Sequence, residues 1–484
     1  RRLHRRARVH ADQRPGGDMC NTHAIQRVDT GDARKKPLER ASQTDLESAY
    51  QPVERYSAFD MLRALALPVY LPCILIDAAR STATPSLPLF LRTLGCDDAQ
   101  VGLVLGCEGA GETLGGLPAS SMLRWLGERS TMVVALAAVG LFCLSCAFVS
   151  TGRTGLSLLL PLFGIAAIRF CIGAGVAAFQ VARWSYLSHA VEPNRRGLAT
   201  SSLGGMMRLG SALGALLSGV LVNIFSLAAP FAAQPLILIG AVLLIGAFVP
   251  ASKPVVQAAH APTHGRRTLS WAVLRPTLQM LPMVLAVSVA RASRSLLLPL
   301  VAAQLGVPPL TLGSIMSLSF GVDLLTFPFG GILTDGYGRK HSGLSSLCCF
   351  AISFFALATA STETQLWQAS ALLGLSNGLS AGILQTVGQD LAPAEGRAEF
   401  FGMWKMVLGT GPLLGPPALG AISAAYGQPS AAAYAVAAAT AIGAALYAFF
   451  AEETLVRAKA EVVSTRRPDA KLATPKQVPL RCQL

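Results

Sequence analysis

The sequence predicts an all-α polytopic membrane protein whose twelve transmembrane helices form two pseudo-symmetric six-helix bundles. Three observations lead there. The 484 residues are 52% hydrophobic and only 14% charged, where a soluble domain carries about 25% charged residues. Apolar runs of about twenty residues, long enough to cross roughly 30 Å of hydrocarbon, recur along most of the chain. Polar landmarks of the first half also return in the second: Arg80, Pro88, Gly102, Glu112 and Gly127 match Arg291, Pro299, Gly313, Asp323 and Gly338 at an offset of 211 residues. Leu and Ala identities at one offset are expected of any apolar sequence. Matches of Gly, Pro, Arg and acids are not.

In chain order, residues 1–56 are polar and mixed in charge, and predict a disordered basic tail in which Met19 is a candidate start. The first bundle, 57–250, holds apolar runs at 64–91, 99–123, 131–150, 156–187, 198–223 and 231–250. A polar linker, 251–273, carries Lys253, His260, His264, Arg266 and Arg267. The second bundle, 274–451, holds runs at 274–302, 309–334, 342–361, 366–390, 400–424 and 429–451, and a polar tail, 452–484, follows. The 46 Gly and 29 Pro are dispersed through these runs, which favours helices, because neighbouring helices tolerate such breaks. The alternating ten-residue pattern of a membrane barrel is absent.

The net charge of +14 resides in the tails and in one set of loops, with Arg124, Arg129, Arg195, Arg196, Arg339, Lys340 and Arg397. The opposite loops hold little beyond Arg92 and Arg153. The basic side is predicted to be cytoplasmic, and with it both termini. The sequence does not choose between a plasma membrane and an organelle membrane. The partner this charge predicts is a lipid bilayer and not nucleic acid. Ten cysteines show no metal-ligand spacing, and neither a nucleophile–base signature nor a phosphate loop is present. The expectation is no metal, no cofactor and no enzyme. Trp184, Trp271 and Trp367 fall near span ends and read as interfacial anchors.

The turn between the eighth and ninth runs reads GGILTDGYGRK, residues 330–340, and supplies Gly331, Leu333, Asp335, Gly338, Arg339 and Lys340. Its copy 211 residues earlier keeps Gly127 and a basic Arg129, but has Ser120 for the leading Gly and Arg124 for the Asp. These residues resemble the G-x-L-a-D-r-x-G-r-k signature of the major facilitator superfamily, over about residues 60–451. Two further elements are similar to its drug/proton antiporter branch. One is Gly210-Ser-Ala-Leu-Gly214, with its copy Gly411-Pro-Leu-Leu-Gly415-Pro416; small residues four apart let helices approach closely. The other is Arg169-Phe-Cys-Ile-Gly173, similar to an R-x-x-x-G element linked to proton transfer. The resemblance implies a monomeric secondary transporter that moves a small organic solute by alternating access, with the proton as coupling ion and efflux as direction. It also implies that Asp335 makes a charge-assisted contact to a neighbouring helix that holds one gate state. Asp335→Asn is therefore expected to impair transport far more than Arg124→Ala.

A charge at mid-bilayer costs several kcal/mol and needs a cavity or a partner. Arg80 and Glu112 fall at comparable depths in the first two spans, roughly 16–20 Å from the outer side at 1.5 Å per residue, and Arg291 and Asp323 do so in the second half. The expectation is two symmetric pairs, Arg80–Glu112 and Arg291–Asp323, with Asp77 and Glu108 as competing partners one turn away. Such pairs read either as static clasps or as proton-coupling sites at Glu112, Asp323 or Asp77. Arg80 and Arg291 converging on the symmetry axis read alternatively as the site of an organic-anion uniporter or exchanger. A third alternative is a transporter-like receptor or scaffold. Gln180, Asn377 and Gln385 are polar candidates for the cavity wall.

Overall fold

The computed structural model describes residues 58–151, 159–192, 195–251, 271–393 and 397–453. The two tails, Met19, Arg153 and the linker core with Lys253, His260, His264, Arg266 and Arg267 lie outside them, as does the side chain of Trp271.

Every regular element among the described residues is helical. Helix α1 (Ala58–Leu65) runs through a π turn (Ala66–Tyr70) into α2 (Leu71–Ala83), and α3 (Ser86–Thr93) completes the first pass. Helix α4 (Asp98–Leu114) follows, then α5 (Gly116–Thr151), α6 (Leu159–Ala190), α7 (Arg196–Ile224) and α8 (Ala229–Phe248). The second half comprises α9 (Trp271–Gln304), α10 (Pro309–Gly336), α11 (Arg339–Thr359), α12 (Glu363–Leu379), α13 (Ile383–Leu391), α14 (Arg397–Tyr426) and α15 (Pro429–Phe450). Nine of these segments are long and apolar enough to cross a membrane. The three remaining passes are those that carry charge or breaks. Helix α4, with the start of α5, holds Glu108 and Glu112; α12 and α13 are broken around Gly382; α14 contains Pro412, Pro416 and Pro417.

The expected symmetry appears in which helices pack together. In the first half α4 packs on α6, α5 on α6 and α8, and α2 on α7 and α8. In the second half α10 packs on α12, α11 on α12 and α15, and α9 on α14 and α15. The halves meet along two seams that are also symmetry mates, α4 with α14 and α7 with α10. Symmetry extends to the turns. Gly127 interrupts α5 at φ 77°, where the chain passes from the second to the third pass, and Gly338 caps α11 at φ 98°. Both need the left-handed backbone that only glycine adopts without penalty, so their identity at one offset records a repeated turn.

Small residues set the seams. A Cβ on Gly102 would collide with the backbone carbonyl of Pro416, and one on Gly109 with that of Pro412. Helices α4 and α14 thus touch backbone to backbone, from Asp98, whose Oδ2 accepts from Ser423 Oγ at 2.5 Å, down to Thr113 beside Gly409. Asp98 and Ser423 lie at the end opposite the basic turns, so the halves are closed together there. Gly210 and Gly214 bring α7 onto the carbonyls of Ile74 and Ala78 in α2, and Gly411 brings α14 onto Ser288 in α9. Gly415 departs from its expected packing role: its nearest neighbour would be Val289 Cγ1 at 3.6 Å, which is ordinary contact.

Candidate functional site

Between the halves lies a cavity of ≈ 250 Å³ with walls from α2, α4, α9, α10 and α14. That is near the lower end of ligand-pocket sizes, about 300 Å³, and suits a small organic solute. Four guanidiniums (Arg80, Arg169, Arg291, Arg294) and three carboxyls (Asp77, Glu108, Glu112) line it.

On the first-half wall these groups form a continuous ladder. Arg80 Nη2 donates to Glu112 Oε2 at 3.1 Å and lies 3.5 Å from Glu108 Oε1. Glu108 Oε2 accepts in turn from Arg169 Nη2. Gln180 Nε2 donates to Glu112 Oε1 at 2.7 Å. The helical period explains the arrangement: Glu108 and Glu112 are one turn apart on α4 and face both α2 and α6. Each carboxylate is thereby compensated, which is the condition for holding it at this depth.

The second half does not repeat this ladder. The expected Arg291–Asp323 pair is absent, and Arg291 instead donates to Ser380, to the carbonyl at 2.6 Å and to Oγ at 2.7 Å. Asp323, 1% exposed, is taken by Arg208 from the other half, with Nε 2.6 Å from Oδ1, and by the amide of Asn377. The reason is geometric. Helix α7 packs along α10, so Arg208 approaches Asp323 directly, while its guanidinium also lies 4.4 Å above the Phe327 ring. Arg294 donates to Ser319 Oγ at 3.3 Å, with its guanidinium carbon 4.3 Å from the Phe320 ring centroid.

Gln180 and Gln385 occupy matched sequence positions but not matched sites. Gln385 is exposed on α13, because the left-handed Gly382 breaks the tenth pass and redirects it. Asn377, before the break, is the side chain that reaches the acid.

Asp77 differs from the other acids. It is 8% exposed on the cavity wall. The guanidiniums of Arg80 and Arg183 are its neighbours, yet among the described residues it makes neither an ion pair nor a hydrogen bond. Arg183 donates instead to Cys73 Sγ at 3.4 Å.

At the basic turn, Asp335 does not hold a neighbouring helix. Its side chain is 78% exposed, with Arg339 at 3.6 Å. The contact to the neighbouring pass belongs to Arg339, whose Nε donates to Asp390 Oδ2 at 2.8 Å at the end of α13. Glu453 accepts from the backbone N–H groups of Arg339 and Lys340 at 2.8 and 3.0 Å. Close packing against α12 falls to Gly330, whereas Gly331 faces open space. In the first copy Arg124 donates to Ser121 Oγ at 2.9 Å, and the buried group is Glu128, which accepts from Ser185 Oγ at 2.5 Å and lies 2.8 Å from His189 Nδ1. Sequence reading missed Glu128, Asp390 and Glu453. The repeat carried the signal for two of them: Glu128 is the positional mate of Arg339 at 211, and Ser185 that of Asp390 at 205.

Two bundles, two mirrored seams and a charged cavity at mid-depth define an integral, multi-pass membrane protein of the kind that binds a solute between its halves. The family model of the Major Facilitator Superfamily matches residues 71–290 and 280–480, and the chain belongs to that superfamily. The D-xylose-proton symporter structure superposes with a TM-score of 0.65 at 15% identity, covering 82% of this chain and 99% of that one. The nucleoside transporter NupG does so with a TM-score of 0.62 at 15% identity, covering 79% and 98%. These likenesses establish the fold. Among curated proteins, the class H tetracycline resistance protein of Pasteurella multocida is 29% identical over 104 residues, 22% of this chain and 26% of that protein. Multidrug resistance protein 3 of Bacillus subtilis is 39% identical over 95 residues, 20% of this chain and 18% of that protein. The matched stretches therefore span about a quarter or less of those relatives.

Proposed function

We propose that this chain is a secondary transporter that exports a small organic solute by alternating access, in exchange for protons carried by Asp77. The observation that carries the reading is that Asp77, though near Arg80 and Arg183, makes neither a hydrogen bond nor an ion pair among the described residues. Glu108, Glu112 and Asp323 each touch an arginine, while Asp77 is buried on the cavity wall without a bonded partner among the described residues. A buried carboxylate without a bonded partner is costly in such a place. Its charge is the one most readily exchanged for a proton when the cavity changes the side it faces. Efflux as the direction is supported by the two resistance proteins among the relatives. The basic turns face the cytoplasm in this reading, and one chain is the transporting unit.

The test is flux of a panel of organic solutes into proteoliposomes, with an imposed pH gradient and without one. Gradient-accelerated flux of at least one solute is expected. Flux indifferent to the gradient, or none for any solute, would contradict the reading.

A further inference from the structure

We infer that the solute is an organic anion, and that its carboxylate or phosphate seats on Arg291 and Arg294. The inference rests on the transporter reading above, and names the substrate class of the same cavity.

The two facing walls of the cavity differ in charge balance. On the first-half wall, Arg80 and Arg169 are matched by Glu112 and Glu108, and Asp77 adds one further acid, so that wall carries no cationic surplus. On the second-half wall, Arg291 and Arg294 also line the cavity, and neither has a carboxylate within ion-pair distance among the described residues. The acid nearest to them in the fold, Asp323, is already held by Arg208 and Asn377. Their neutral partners, Ser380 and Ser319, fix where they point without cancelling their charge.

Two guanidiniums at this depth without an anion are unfavourable, and a bound anion supplies what the protein omits. Arg291 and Arg294 are three residues apart on α9, so they present one face. Guanidiniums suit the planar, two-oxygen geometry of carboxylate and the oxygens of phosphate. Phe320, against Arg294, together with Leu87 and Met316 gives the same cavity an apolar lining, so the anion it fits carries an organic body.

The experiment is thermal unfolding of the purified full chain in detergent, titrated with permanently charged probes of similar size: benzenesulfonate, phenyl phosphate and benzyltrimethylammonium, with inorganic phosphate as the ion lacking an organic body. Benzenesulfonate and phenyl phosphate are expected to raise Tm in a saturable way. Inorganic phosphate is expected to do so weakly, and the ammonium not at all. A larger response to phenyl phosphate than to benzenesulfonate assigns the site to phosphate esters, and the reverse order to singly charged headgroups, the class that includes carboxylate. Arg291→Gln and Arg294→Gln are each expected to weaken the anion response by roughly 10- to 100-fold in apparent Kd. Stabilisation by benzyltrimethylammonium equal to that by the anions, or stabilisation by none of the probes, overturns the inference in the unmodified chain alone; an anion response that survives both substitutions overturns it as well. Binding in detergent needs neither a gradient nor turnover. Failure of this inference is therefore separate from failure of proton coupling, which flux with and without a pH gradient reads.

Discussion

Arg208 on α7 reaches across the boundary between the halves and places its Nε 2.6 Å from Oδ1 of Asp323 on α10. It is a charge pair between two parts of the molecule that must move relative to each other if the cavity is to face both sides in turn. Breaking a buried pair by removing one partner leaves the other charge uncompensated, at about 3–5 kcal/mol. Arg208→Gln and Asp323→Asn are each predicted to lower stability by an amount in that range. The double variant is predicted to lose clearly less than the sum. Thermal unfolding of the four proteins checks this; strictly additive losses would show that the two side chains do not depend on each other.

The basic turn yields a contrast between two acids. Asp335 is exposed, and exposed ion pairs contribute about 0–1 kcal/mol. Asp390 receives the buried Arg339 from the neighbouring pass. Asp390→Asn is predicted to impair transport and stability far more than Asp335→Asn, reversing the emphasis that the sequence motif places on Asp335. Flux and unfolding of both variants, side by side, decide the matter.

Gly214 and Gly415 are both positions of the small-residue motif, yet they have different surroundings. A methyl group on Gly214 would strike the Ala78 carbonyl, whereas on Gly415 it would meet Val289 at 3.6 Å. Gly214→Ala is predicted to destabilise by about 1–3 kcal/mol, the usual cost of overpacking. Gly415→Ala is predicted to be close to neutral. The comparison is read from unfolding midpoints, and similar effects at both sites would contradict the packing described.

Gly338 carries two constraints, a left-handed backbone at φ 98° and the carboxylate of Glu453 where its Cβ would stand. Gly338→Ala therefore costs about 1–3 kcal/mol in backbone strain, and also displaces the cap on the Arg339 and Lys340 N–H groups. Loss of stability beyond that of Glu453→Gln alone is the expected result of an unfolding measurement.

The pass count and the two-fold repeat were legible because burial in lipid imposes apolar runs of fixed length and the duplication left glycines, prolines and charges at one offset. Arg80 and Glu112 were legible as neighbours from depth alone. Side-chain partners in the second half were not. Depth placed Arg291 level with Asp323, but the competitor for that acid comes from α7, and no spacing within the second half reveals a residue 115 positions away in the first. Gln385 misled for a related reason: the repeat aligns it with Gln180, but the left-handed Gly382 breaks only the second copy. The motif pointed to Asp335 by residue type, while burial selects Arg339, Asp390 and Glu453. Burial at a helix end depends on which pass lies alongside, and that is a tertiary fact.

The central claim is that Asp77 couples the solute to the proton. In proteoliposomes carrying a solute found to be transported, Asp77→Asn is predicted to abolish accumulation driven by a pH gradient while preserving solute exchange at equal pH on both sides. Gradient-driven accumulation undiminished in Asp77→Asn would contradict the account.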